Sequence, residues 1–262
     1  MGYNRLMLAL LLAATCSLHP PALEGDVGRR SLPWLPPDLA RQVVKHDRAF
    51  AAGYTAARRW PSEFHRRDGN PNVEMAIVAQ CERLVQAIRK QRPFDEVVGG
   101  FGALAHLTLD HASPFLGTAD SDPYAMAFRS FTVRALPRIP MVFYGQDNVF
   151  LGSPRGGIPR FLARKGGATS PLAALVREDV DRVGGPAAWH LLDDRSTTFG
   201  VASLMLNHAV SNFVNLASWV WGQAGGLVPT IPQEGDTFLV WKGEPRPREA
   251  PGSHIRIRKA GN

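Results

Sequence analysis

The sequence predicts an all-α fold: one domain, a multi-helix bundle around a buried C-terminal helix. Three observations carry this. Apolar residues recur at helical spacing through most of residues 31–226. Pro and Asn-Pro signals stand where those periodic runs begin. Strand-type alternation is confined to short segments. The 262 residues suffice for one large core. Hydrophobic residues at 45% and charged residues at 20% give an ordinary globular balance, which excludes a disordered or collagen-like chain.

The elements follow in chain order. "SLPWLPPDLARQVVKHDRAFAAGYTAARR" opens with prolines, and Pro37 suits a first helical position. Leu39, Val43, Phe50 and Tyr54 then share helical spacing. "GNPNVEMAIVAQCERLVQAIRKQ" begins a second helical run after Asn70-Pro71. Its face is Met75, Ile77, Val78, Cys81, Leu84, Val85 and Ile88. "PFDEVVGGFGALAHLTLDHAS" is a third helix, ended near Pro114 because proline disfavours helical backbone in the residue before it. "DPYAMAFRSFTVRAL" reads as a shorter helix. Residues 137–159, rich in Pro and Gly, read as loop. "SPLAALVREDVDRV" is helical with Ser170 as N-cap. Residues 196–222 form a long apolar helix closed by Gly225-Gly226.

The two ends read differently. Residues 1–30 are expected to be a signal peptide or a disordered segment, since "LMLALLLAATC" is apolar but too short to span a bilayer. Export to the periplasm, envelope or medium follows. A lipoprotein anchored at Cys16 and a buried N-terminal helix are the alternatives. Residues 227–262 form a Pro/Gly-rich basic tail read as solvated, with "HIRIR" offering at most a short strand. Only two cysteines are present, Cys16 and Cys81, so there is no disulfide framework. Cys81 reads as a core residue. The net charge of +7 favours anionic partners, whether membrane surface, nucleic acid or phosphorylated compounds. Walker loops, dinucleotide glycine fingerprints and G-x-S-x-G elbows are absent from the sequence.

The chemistry concentrates in "GALAHLTLDHASPFLGTADSDP". His106 and Asp110 share a helical face, which offers an imidazole and a carboxylate together, as a divalent metal requires. The plain alternative is an i,i+4 ion pair or a core histidine held by an aspartate. Small residues at Gly102, Ala103 and Ala105 point the pair into the bundle, where a buried Asp needs compensation. "AAWHLLDDRS" repeats the spacing with His190 and Asp194; there the alternative is a turn, with Asp194 or Ser196 capping the next helix. His208, Ser203, Asn207 and Ser211 form a polar strip on the closing helix that either faces a cavity or bonds between helices.

On these motifs the chain resembles the zinc-dependent phospholipase C and S1/P1 nuclease superfamily. "GALAHLTLDHASPFL" is similar to its core motif, "WHLLDDRS" to its later H-x-x-x-D/E pair, and "SNFVNLASWVWGQAGG" to its closing helix. The resemblance implies a phospholipase C/P1 nuclease-type bundle and a secreted phosphodiesterase using one to three Zn2+ ions. It implies metal ligands at His65, His106, Asp110, His190 and Asp194, with Asp110 also the catalytic residue. The implied substrate is a phospholipid or other phosphodiester, at an anionic membrane surface; nucleic acid fits less well, because no base-stacking aromatics can be assigned to the site. His65 stands equally well as a surface residue among Arg66, Arg67 and Asp68.

The chain departs from the family pattern in three places. Leu116 occupies the position of the motif's second histidine. Only Glu63 stands near the place of an acidic ligand before His65. Trp34 and His46 imitate a terminal tryptophan and its histidine only in spacing. His111, Asp120 and Asp122 are candidate substitutes for missing ligands. The rival expectation is therefore a non-catalytic relative of the same fold, acting as an envelope-associated binding or structural protein.

Overall fold

The computed structural model describes residues 21–118, 121–154, 156–166, 171–229 and 239–241. Ten α-helices run through the described residues: α1 Pro21–Ser31, α2 Pro37–Lys45, α3 Asp47–Ala57, α4 Val73–Arg89, α5 Phe94–Ala112, α6 Pro123–Ala135, α7 Asn148–Leu151, α8 Gly157–Gly166, α9 Leu172–Arg182 and α10 Thr197–Gln223. The chain is mostly helical, as its apolar periodicity requires. None of the described helices is long and apolar enough to cross a membrane.

α5 forms the centre of the bundle. Every residue from Phe101 to Ala112 is buried, and α3, α4 and α10 pack around it. Glycine allows the closest of these approaches. A Cβ on Gly53 of α3 would lie 1.8 Å from the Gly99 carbonyl oxygen, and one on Gly102 would lie 2.0 Å from that of Phe50. α10 is apolar around most of its circumference and is buried from Met205 to Trp221 apart from the half-buried His208, as expected of a helix enclosed on all sides. Ser196 caps its start through the Phe199 N–H, and Asp179 accepts from the Thr198 N–H and hydroxyl.

Local signals set most boundaries. Asn72 caps α4 through the Met75 N–H, after a cis Asn70-Pro71 bond. Asp122 caps α6 through the Tyr124 and Ala125 N–H groups, and Pro123 opens that helix. α5 stops at Ser113, before Pro114. The helical run that begins at Pro37 is broken at His46, whose Nδ1 lies 2.6 Å from Asp95 Oδ1. Cys81 is fully buried, and burial pushes its thiol pKa far up, as suits an inert core residue. Met75 departs from its expected core face and is 48% exposed.

Two expectations change. The helical unit extends N-terminal of residue 31, because α1 belongs to the core: Val27 and Ser31 are fully buried. Arg30 is paired with Asp26 and donates to the Ile139 and Leu136 carbonyls at 2.8 and 2.7 Å. Residues 1–20, "HIRIR" and Ser170 lie outside the described residues. The expected loop at 137–159 holds a strand, β1 Met141–Phe143, followed by α7 and the start of α8. β1 pairs antiparallel with β2, Leu239–Trp241. On α10, Asn207 accepts from the Val142 N–H, Ser211 from Tyr144 and Asn215 from Asp147, at 2.9, 3.1 and 2.7 Å. Asn207 and Ser211 of the polar strip thus bond β1 and the loop after it rather than another helix, satisfying backbone groups that burial would otherwise strand, while Ser203 bonds back to the Phe199 carbonyl of its own helix.

The two kinds of glycine contact predict opposite effects. Gly102→Ala should destabilise by about 1–3 kcal/mol, the usual cost of overpacking. Gly200→Ala, where an added Cβ meets nothing within 4 Å, should stabilise by about 0.5–1 kcal/mol. Urea unfolding of both variants checks this; equal effects would contradict the close α3–α5 contact.

Candidate metal centre

Three side chains from two elements converge in the bundle. His106 and Asp110 lie one turn apart on α5, and His65 ends a 3-10 helix, Ser62–His65, that follows α3. His65 Nδ1 lies 2.6 Å from Asp110 Oδ2, and His106 Nε2 lies 3.1 Å from the same oxygen. One ligand atom from each residue falls within 4.8 Å of the others. His106 and Asp110 are wholly buried and His65 is 7% exposed. Tyr54 of α3 stands edge-on to the His106 ring, with centroids 4.8 Å apart.

The donor set fits a divalent cation. Neither nitrogen of His106 makes an aligned hydrogen bond, nor does Nε2 of His65. Buried nitrogens without an aligned hydrogen bond call for an explanation. A cation among the three groups would take up imidazole lone pairs and offset the carboxylate charge.

Without a cation, a proton shared with His65 is the available compensation. Burial pushes the His65 imidazole pKa down, but the hydrogen bond and charge of Asp110, with the Ala57 and Trp60 carbonyls, outweigh it. The net direction is up from the ordinary imidazole value.

The other expected ligands lie elsewhere. His190 and Asp194 do not join the cluster; both are exposed. His190 sits in a 3-10 helix, Pro186–Leu191, packed on α6, and Asp194 lies beyond its end, paired with Arg138 at 2.7 Å. The helix ends at Leu191, so no continuous helix carries both residues on one face as α5 carries His106 and Asp110.

The described candidate substitutes, His111 and Asp122, do not join the cluster either. Asp122 is engaged as a cap and by Arg177 at 2.6 Å. His111 Nε2 faces Glu74, 3.5 Å away. Asp120 lies outside the described residues. Trp34 stacks on Phe143, His46 pairs with Asp95, Glu63 is exposed, and Leu116 packs half-buried against the core. His208 is half-buried against Tyr144, and its pKa is lowered by burial, then by Lys165 and His111.

Two contributions were not legible beforehand. Tyr54 read only as a core position, yet it walls the His106 ring. Arg67 and Glu74 brace the end of α5: Arg67 donates to the His111 carbonyl at 3.3 Å, while Glu74 faces the His111 ring.

In comparison with known proteins, no family model matches the sequence and no curated protein is significantly similar to it.

The raised His65 pKa sets the sign of a pH effect. A proton on His65 competes with a cation, so zinc affinity should fall as pH is lowered from about 8 to about 6. Calorimetric titrations at several pH values read this directly. Affinity independent of pH would remove His65 from the ligand set.

Proposed function

We propose that the chain is an exported, metal-dependent hydrolase of phosphate esters, of the zinc-dependent phospholipase C and P1 nuclease type. One cation, held by His65, His106 and Asp110, serves it. The observation that carries this reading is the convergence of two imidazoles and one carboxylate on a single point. Structural zinc sites use four protein ligands, whereas a three-ligand His/His/carboxylate set leaves a position for water or substrate. Zinc bound there would lower the pKa of a coordinated water toward about 7 and offset charge on a phosphoryl oxygen. The protein's part is to hold and orient. Asp110 supplies a fixed carboxylate, Tyr54 limits the tilt of the His106 ring, and the bundle keeps bulk water from the buried side.

The substrate class follows from charge and from the family resemblance. A net charge of +7 draws anionic esters, phospholipid at an anionic membrane surface foremost. His190 and Asp194 lie outside the cluster, so the proposal is a one-ion site. Export requires cleavage upstream of the buried Asp26. Intact-mass analysis of native protein should show a mature N-terminus before that residue, and a chain starting at Met1 would contradict export.

A second reading rests on a specific observation. His106 and Asp110 have no exposed surface, and Leu116 replaces a ligand of the family motif. A cation there would then staple the bundle in a non-catalytic envelope-associated protein. Hydrolysis of bis(p-nitrophenyl) phosphate by zinc-loaded protein separates the two. The hydrolase reading expects turnover that falls at least about 100-fold in Asp110→Ala, more than loss of a mere supporting group. Zinc bound in one equivalent, without turnover of this ester or of phospholipid vesicles, would establish the staple instead.

A further inference from the structure

A second site lies on the outer side of the turn that carries His65. A groove of about 430 Å³ runs between residues 60–64 and α4. Its walls are apolar: Trp60 and Phe64, edge to face with centroids 6.5 Å apart, stand opposite Met75 and Ala79. Met75 is 48% exposed, an open apolar side chain at the mouth. Among the described residues, Arg83 is the one charged residue lining the groove. Its guanidinium lies over the Trp60 ring, 5.3 Å from the centroid. Glu63 and Glu82 neighbour the groove in sequence and do not line it.

We propose that this groove binds an alkyl carboxylate, its chain along Trp60, Phe64 and Met75 and its carboxylate on Arg83. The volume falls within the range of small-molecule pockets, which are mostly apolar with a few orienting polar groups. Stacking on Trp60 restrains the guanidinium, so little freedom remains to be lost when it forks onto a carboxylate. Charge selects the head group. A single guanidinium matches a monoanion, whereas an alkyl phosphate carries about −1.5 to −2 near neutral pH and would be left partly uncompensated. The inference goes beyond the hydrolase reading and does not depend on it.

Because Phe64 lines the groove and the next residue points to Asp110, the test uses the full chain both zinc-free and zinc-loaded. Dodecanoate, kept below its micelle concentration, is titrated by calorimetry. The expected result is saturable binding of one molecule per chain in both states. Arg83→Glu and Met75→Glu should each weaken it at least about tenfold, the scale of losing a charged hydrogen bond or a desolvated contact. Arg83→Lys should retain part of the affinity. Val149→Glu, in a separate groove beside α7 and α8, should leave it unchanged. Circular dichroism and thermal melting confirm the fold of each variant; if Arg83→Glu unfolds, Met75→Glu and Arg83→Gln decide. The proposal is overturned by absence of saturable binding, or by equal affinity in the folded groove variants. Equal or tighter binding of dodecyl maltoside or dodecyl phosphate, or loss of binding in Val149→Glu, also overturns it.

Discussion

A carboxylate with no exposed surface sits at the centre of this protein, and the arrangement around it follows from the need to compensate its charge. Asp110 lies on the most buried helix of the bundle. A lone ionised carboxylate in such a place costs several kcal/mol, so partners must be brought to it. His106 comes from one turn earlier on the same helix. His65 comes from a separate turn, and its Nδ1 makes the shortest contact, 2.6 Å. With α3 held against α5 through Gly53 and Gly102, Tyr54 reaches the His106 ring and the turn that follows α3 reaches Asp110.

The charge of such a cluster can be compensated in two ways. With a proton on His65 it is a buried ion pair; with a divalent cation it is a metal centre. The two states share the same side chains, and the hydrogen bond and charge of Asp110 raise the His65 pKa against the opposing effect of burial. At the end of α5, Arg67 donates to the His111 carbonyl and Glu74 faces the His111 ring.

Much of this was legible from residue order. Helical spacing located α4, α5, α6, α9 and α10 to within a few residues, because each carries a clear apolar face and a cap or a proline at an end. The His106–Asp110 pair was legible because an α-helix fixes i and i+4 on one face. His65 entered only through the family resemblance; no local rule says that a residue of a short turn reaches across to Asp110. His190 and Asp194 carry the same spacing but no helix spans both, so the pattern was repeated without its geometry. β1 was hidden because its hydrogen bonds come from Asn207 and a strand about a hundred residues away, which no local window contains. α1 was hidden for a related reason: its buried face, Val27 and Ser31, is short, and its anchor, Arg30, finds carbonyls far along the chain.

The central claim is that His65, His106 and Asp110 together hold a divalent cation. Anomalous diffraction at the zinc edge, from crystals of the zinc-loaded protein, tests it most directly. The account predicts one strong peak in contact with all three side chains, and none at His190 and Asp194. A structure in which zinc lies elsewhere, while His65 and Asp110 keep their direct hydrogen bond, would contradict it.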